Sequence, residues 1–283
     1  MTKRRVILFL FVILIMILVL FFYIKLSRSN PKFSVTFFNI GQGDAALIKF
    51  NNGQKMLVDC GPDRKILAKL GAVLPFYDKT IDFLLISHPD ADHYGGCADV
   101  LDRYDVKKII TNSTKKETDP YWRYFDQKEK QEGAKIKIMT GPEEWVIGSS
   151  TLGFLNPDSS LALSAKDAEG NNASIVFRLI NDNEKFLFTG DMEVPLEDAL
   201  EQKYCSSTPR DCPALKADIL KVGHHGSDSS TGQKLLSATN PRETIVSVGQ
   251  NTFGHPSFRV LKKLERAKIK VLRTDEIGDI FKY

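Results

Sequence analysis

The sequence predicts an α/β fold of two mixed sheets with helices on their outer faces, preceded by one apolar helix. Three observations carry that expectation. Short apolar and β-branched runs, punctuated by Gly, Asn and Asp, follow one another early in the chain as a meander would. Helix-like and strand-like stretches then alternate at both flanks, which lays helices over sheet faces. Finally, a loop with four potential metal ligands directly follows an apolar run at 81–86 that reads as a buried central strand.

The elements follow in order. Residues 6–24 are 19 consecutive apolar or aromatic residues, enough as a helix to span roughly 28 Å, close to a hydrocarbon core. The run exceeds a usual signal-peptide apolar region, and Phe22-Tyr23-Ile24-Lys25 offers no small-residue cleavage site, so an uncleaved signal anchor over 1–28 is expected. Three basic residues flank it on each side, and the α-amino group tips the N-terminus inward. The rest of the chain is then single-pass and extracytoplasmic.

Residues 27–32 form a short polar linker, and a domain is expected over 33–283. Strands are predicted at 33–40, 45–50 and 55–59, with a hairpin at Asn51-Asn52-Gly53. A helix at 64–74 leads to the strand at 81–86. Pro89 and Gly95-Gly96 argue against regular structure in the loop after it. Beyond lie a helix at 98–104, a strand at 106–110 and a polar, aromatic-bearing helical insertion within 112–134. Strands resume at 136–139, 145–147, 152–155, 174–180 and 185–189. A helix at 196–204, strand at 218–222, helix at 233–238, strand at 244–248, helix at 257–267 and strands at 268–273 and 279–283 complete the chain. No repeat of fixed period is present.

The formal charge of +4 belongs to the N-terminus: six of the 39 Lys and Arg, and none of the 35 acids, lie in the first 32 residues. The remainder carries a net charge of −2, so bulk charge gives no nucleic-acid footprint. Cys205 and Cys212 bracket a loop-like stretch that a disulfide can staple. Cys60 and Cys97, each beside a site motif, are a second candidate pair or else free buried thiols; the sequence leaves the connectivity open.

The chemistry concentrates at strand ends. His88, Asp90, Asp92 and His93 fall within six residues, and imidazole with carboxylate suits zinc, manganese or iron. Asp59 ends the strand 55–59; it can orient a ligand from behind or cap the next helix. Asp191 follows Gly190 at another strand end, and its two oxygens can bridge two cations. His224 and His225 stand between glycines. Adjacent side chains on extended backbone point oppositely, so one ligates, with His225 preferred, and the other orients or protonates. His255 precedes Pro256 ahead of a helix. Ser227 and Ser230 either contact an anionic substrate or cap a helix, and Asn172 sits before a strand at the same rim.

Together, Ser87-His88-x-Asp90-x-Asp92-His93, the later Gly190-Asp191 and a further His resemble the metallo-β-lactamase superfamily. Asp90 stands where that superfamily's second loop His usually falls. With Asn39-Ile40-Gly41-Gln42-Gly43-Asp44, Lys221-Val222-Gly223-His224-His225-Gly226-Ser227 and Gly254-His255-Pro256, the chain is similar, over 33–283, to the C-terminal hydrolase domain of the ComEC family of DNA-uptake proteins. The resemblance implies an αββα sandwich with a two-metal site on one edge. His88 and Asp90 would serve one ion, Asp92, His93 and His225 the other, and Asp191 would bridge. Asn172 stands where a further His ligand is often found, which makes the first position oxygen-rich and manganese as plausible as zinc.

The resulting expectation is a membrane-anchored hydrolase using two divalent ions, Zn2+ or Mn2+, on a phosphodiester such as DNA. Asp92 or Asp191 would take the proton of the attacking water, and His224 or His255 would protonate the leaving group. The alternatives are hydrolysis of another ester, a lactone, a β-lactam or a cell-wall phosphodiester, and a non-catalytic metal-binding subunit of a DNA-uptake or envelope complex. With one apolar segment and no many-helix channel, the chain is not expected to translocate DNA by itself.

Overall fold

The computed structural model describes residues 3–27, 31–164, 166–206 and 211–283. Residues 28–30 of the expected 27–32 linker and the middle of the Cys205–Cys212 loop lie outside the described residues. The chain opens with helix α1 (Lys3–Ser27), and its 3–23 stretch is long and apolar enough to cross a membrane. Pro31 then lies 3.8 Å from where a Cβ on Gly53 would stand, so the chain enters the domain beside the tip of the first hairpin.

Two seven-stranded mixed sheets follow. The first contains β1 (Ser34–Phe37), β2 (Ala46–Lys49), β3 (Lys55–Val58), β4 (Thr80–Leu85), β5 (Asp105–Thr111), β6 (Lys135–Ile138) and the last strand, β14 (Ile280–Lys282). Its order is β14-β1-β2-β3-β4-β5-β6, antiparallel from β14 to β3 and parallel from β3 to β6. The second contains β7 (Glu143–Ile147), β8 (Ser150–Asn156), β9 (Val176–Asn181), β10 (Glu184–Phe188), β11 (Ile219–Lys221), β12 (Glu243–Val246) and β13 (Lys270–Arg273), in the order β13-β12-β11-β10-β9-β8-β7. Here β7 to β10 are antiparallel and β10 to β13 parallel.

Side-chain alternation explains the layers. Val35, Phe37, Ile48, Met56 and Val58 of the first sheet meet Phe154, Phe177, Leu179, Phe186 and Phe188 of the second in one apolar seam. Phe177 and Phe188 stack at 4.6 Å, a contact contributing about 1 kcal/mol beyond its buried area. The opposite parity on the first sheet, Leu47, Leu57, Leu84 and Ile109, packs on α2 (Lys65–Val73), α4 (Cys97–Arg103) and α5 (Pro120–Glu132). Val176, Leu187, Leu220 and Val246 of the second pack under α6 (Val194–Tyr204), α7 (Gln233–Thr239) and α8 (Phe258–Arg266). This is the expected αββα sandwich.

Two local expectations are corrected. The ligand loop contains one helical turn, α3 (Ala91–Tyr94), with amides of His93 and Tyr94 bonded to the Asp90 carbonyl. Gly95 and Gly96 are there for close approach: a Cβ on them would lie 2.3 Å from the Pro62 oxygen and 2.5 Å from that of Asp63. His224 and His225 are not extended but successive left-handed residues, at φ 47° and 52°. A short helix, α9 (Thr274–Ile277), also intervenes before β14, where none was expected.

Both cysteine pairs are disulfides, Cys60–Cys97 and Cys205–Cys212. The first ties the end of β3 to the start of α4, around the ligand loop.

Candidate metal centre

Strand tips of both sheets meet at one edge of the sandwich, at the opposite end of β3 from the hairpin where the chain enters. After β3 comes Asp59, after β4 the loop with His88, Asp90, Asp92 and His93, after β10 Asp191, and after β11 the His224–His225 pair. Backbone contacts fix their approach. The Asp92 carbonyl accepts from the Asp44 amide and that of His93 from the Cys60 amide. The Ser87 carbonyl accepts from the Ile175 amide and from Asn112 Nδ2, tying the two halves together. Gly190 also permits a close approach, since a Cβ there would lie 2.9 Å from the Ser174 side chain.

Ligating atoms of Asp92, His93, Asp191 and His225 gather within 4.8 Å of one another. His225 Nε2 is 3.1 Å from Asp92 Oδ2 and 3.6 Å from Asp191 Oδ2, and His93 Nε2 is 3.1 Å from Asp191 Oδ1. Donors arranged tetrahedrally at about 2 Å from an ion stand roughly 3.3 Å apart, so these separations suit a shared cation. His88 Nε2 lies 3.9 Å from Asp191 Oδ2 and 3.8 Å from Asp90 Oδ2. Asp90 also meets Lys116, whose Nζ is 2.5 Å from its other oxygen.

The histidines are aimed from behind. His225 Nδ1–H donates to the Ser247 carbonyl (2.9 Å), and His93 Nδ1–H faces Asp59 Oδ2 (2.9 Å). His88 Nδ1 contacts the hydroxyls of Ser87 and Ser174. With Nδ1 engaged, Nε2 of each ring faces the cluster. The Nε2 atoms of His88 and His93 and Asp191 Oδ1 are buried without a hydrogen-bond partner. Unsatisfied buried polar atoms of this kind call for a ligand, and the donor set fits a divalent cation.

Electrostatics agree. Burial opposes charge on His93, but the Asp191 and Asp59 carboxylates outweigh it and hold its pKa well above the usual value. Burial is likewise outweighed at His225, which Asp191, Asp44 and Asp92 push up to about 10. Asp191 is held well below the carboxylate range: burial acts against this, and the imidazoles of His93, His225 and His88 prevail. Burial, then His93, brings His88 down to about 4. The carboxylates thus demand positive charge at the place where the Nε2 atoms converge.

The remaining expected residues surround this group. His224 Nε2 is 3.9 Å from Asp191 Oδ2, and its Nδ1 lies 3.2 Å from Glu193 Oε1 and 3.3 Å from Asn171 Nδ2. The His255 ring is 5.3 Å from that of His224. Asn172 gives its side-chain oxygen to the Glu193 amide, shaping the Asp191-bearing turn. Ser227 meets Ser229, and the buried Ser230 bonds to the Gly223 and Ser227 carbonyls.

Sequence reasoning missed Asp44, Ser87, Ser174, Asn171, Glu193 and Lys116. Asp44 is buried, 3.3 Å from His225 Nδ1 and 2.6 Å from Lys221 Nζ. Its place in the Asn39-to-Asp44 motif was the available signal.

Comparison with known proteins adds independent findings. A family model described as the metallo-beta-lactamase superfamily matches residues 39–250. The chain is similar to ComE operon protein 3 of Bacillus subtilis (strain 168), 29% identical over 264 residues, covering 87% of this chain and 32% of that protein. It is similar to competence protein ComA of Neisseria gonorrhoeae at 28% over 250 residues, covering 87% of this chain and 31% of that protein. The chain therefore spans about a third of the length of these curated relatives. Human tRNase Z, short form (ELAC1), superposes with a TM-score of 0.52 at 12% identity, over 87% of this chain and 98% of that one; this likeness is one of fold.

Proposed function

The chain belongs to the metallo-beta-lactamase superfamily, and we propose that it is a membrane-anchored hydrolase of phosphodiester bonds working with two divalent cations, zinc or manganese. The observation carrying this reading is the convergence of Asp92, His93, Asp191 and His225, from tips of both sheets, within 4.8 Å. His88 and Asp90 would hold one ion, Asp92, His93 and His225 the other, with Asp191 shared. When bound, such ions activate water near neutral pH and neutralise charge on a phosphoryl group.

The protein's own residues do the rest. Asp92, half-buried at the rim, accepts the proton of the attacking water. His224, whose Nδ1–H faces Glu193 Oε1, presents Nε2 to protonate the leaving oxygen, with His255 beside it as the second candidate acid. Asp59 and Ser247 keep the imidazoles aimed. A nucleic-acid phosphodiester is favoured by the resemblance to competence proteins.

Helix α1 is a candidate anchor, and in this reading it crosses the membrane once with domain 33–283 outside. Two disulfides favour an oxidising compartment. The test is turnover of bis(p-nitrophenyl) phosphate by the detergent-purified full chain with added zinc or manganese. Turnover lost by at least 100-fold in Asp191→Asn supports the reading, and activity confined to carboxylic esters or lactones replaces it.

A further inference from the structure

We propose that Phe253 is a stacking platform for a nucleobase flanking the cleaved linkage, which makes a single-stranded nucleic acid the substrate class of this centre. The inference rests on the phosphodiesterase reading and deepens it.

Phe253 is 72% exposed, on a loop built to hold it out. Asn251 uses its full hydrogen-bonding capacity there: Oδ1 accepts from the amides of Phe253 and His255, and Nδ2 donates to the carbonyls of Gly249 and His255. The loop root is seated tightly, since a Cβ on Gly249 would lie 2.4 Å from the Gly41 backbone. A large apolar ring held in water forgoes burial, and a pinned loop spares the ordering cost of binding. Both features suit a ligand that arrives on that ring.

The position says which ligand. The Phe253 ring is 5.8 Å from His255, whose ring is 5.3 Å from His224, whose Nε2 is 3.9 Å from Asp191 Oδ2. A chain of rings thus runs from solvent to the cluster that would take the phosphate. Helix α8 begins at the same rim, its Ser257 amide bonded to the Gly226 carbonyl. It carries Arg259, Lys262, Lys263 and Arg266, of which Arg259 pairs with Asp228, Lys262 with Glu265, and Lys263 bonds the Ser230 and Thr231 carbonyls; an exposed Phe258 lies under Lys262 Nζ at 5.5 Å. Aromatic faces interleaved with cations are the composition that holds single strands, bases on rings and backbone on charge. In a duplex the base faces are already stacked, so a platform of this kind selects unpaired bases.

The test compares wild type, Phe253→Ala and Phe253→Trp, all metal-loaded and full-length, on a single-stranded oligodeoxynucleotide, its ribonucleotide counterpart, the duplex, and a strand of abasic residues. Stacking is worth about 1–3 kcal/mol per base, so kcat/KM of Phe253→Ala on a base-bearing single strand falls between about 5-fold and 150-fold, mainly through KM. Phe253→Trp retains wild-type values, and on the abasic strand the alanine substitution costs less than twofold. A loss on the deoxyribose or the ribose strand supports the proposal and names the backbone. Equal kcat/KM for wild type and Phe253→Ala on single strands overturns it, as does an equal loss on the abasic strand. So does failure to cut any strand by protein that turns over bis(p-nitrophenyl) phosphate, an outcome that leaves the phosphodiesterase reading standing.

Discussion

Asp59 is placed to orient His93 at the candidate metal centre. Its backbone is left-handed, at φ 57°, a conformation costing a non-glycine residue about 1–2 kcal/mol. The strain places its carboxylate to accept from the Ser87 amide (2.7 Å) and hydroxyl (2.8 Å) and to face His93 Nδ1. Removing that acceptor frees the His93 ring. Asp59→Asn is therefore expected to weaken metal binding by about 10–100-fold while the far-ultraviolet circular dichroism stays native; unchanged affinity in a competitive chelator titration would refute the orienting role.

Protons and cations compete for the same residues. The neighbouring carboxylates raise His225 from 6.5 to about 10 and raise His93 as well, so both rings favour the protonated form when no cation is bound. Loading must release them, so affinity should rise from pH 6 to pH 8. Calorimetry in buffers of differing ionisation enthalpy should show proton release near pH 7. The metal-free protein has the opposite trend: its folded-state pKa exceeds the unfolded one, so the contribution from His225 is full below about 6.5 and lost as pH climbs to about 10. Affinity independent of pH would contradict both.

The ligand types were legible at this scale because His and Asp crowd one loop. Their supports were not: Glu193 and Asn171 reach His224 from other segments, and a sequence shows donors without showing which will meet. The extended-backbone argument for the His224–His225 pair fails because two left-handed residues turn them. Even so, His225 is the one whose Nε2 stands with Asp92 and Asp191.

Among the elements, the ligand loop shows why punctuation misleads. Pro89 and the glycine pair read as helix breakers, yet a helical turn forms between them, because Gly95 and Gly96 answer to the neighbouring 60–63 backbone rather than to their own turn. The Cys60–Cys97 bridge closes this region over a separation of 37 residues. Replacing both with Ser should lower stability by about 2–4 kcal/mol, read as the shift in urea unfolding, with the larger part of the loss in metal-free protein. A shift below about 0.5 kcal/mol would show that the bridge adds nothing to this loop. Element identities were otherwise readable, since strand parity and helix spacing follow from burial, while the short α9 was hidden by its four-residue length.

At the scale of the molecule, each sheet supplies half of a centre that neither completes. The first contributes the 88–93 loop and the second contributes Asp191 and His225, with the apolar seam behind them setting the spacing. Alternating strands and helices in the sequence announced two sheets, but which edge would hold the site depended on crossovers that composition does not encode. A shared cation would clamp the halves together, which makes stoichiometry the most direct measurement. Elemental analysis of the full-length chain, purified and reloaded with zinc or manganese, should give two ions per chain, falling to one or none in both Asp191→Asn and His225→Ala. Wild-type protein that binds no ion stoichiometrically, or an Asp191→Asn variant that still holds two, would contradict a pair of ions joining the two sheets.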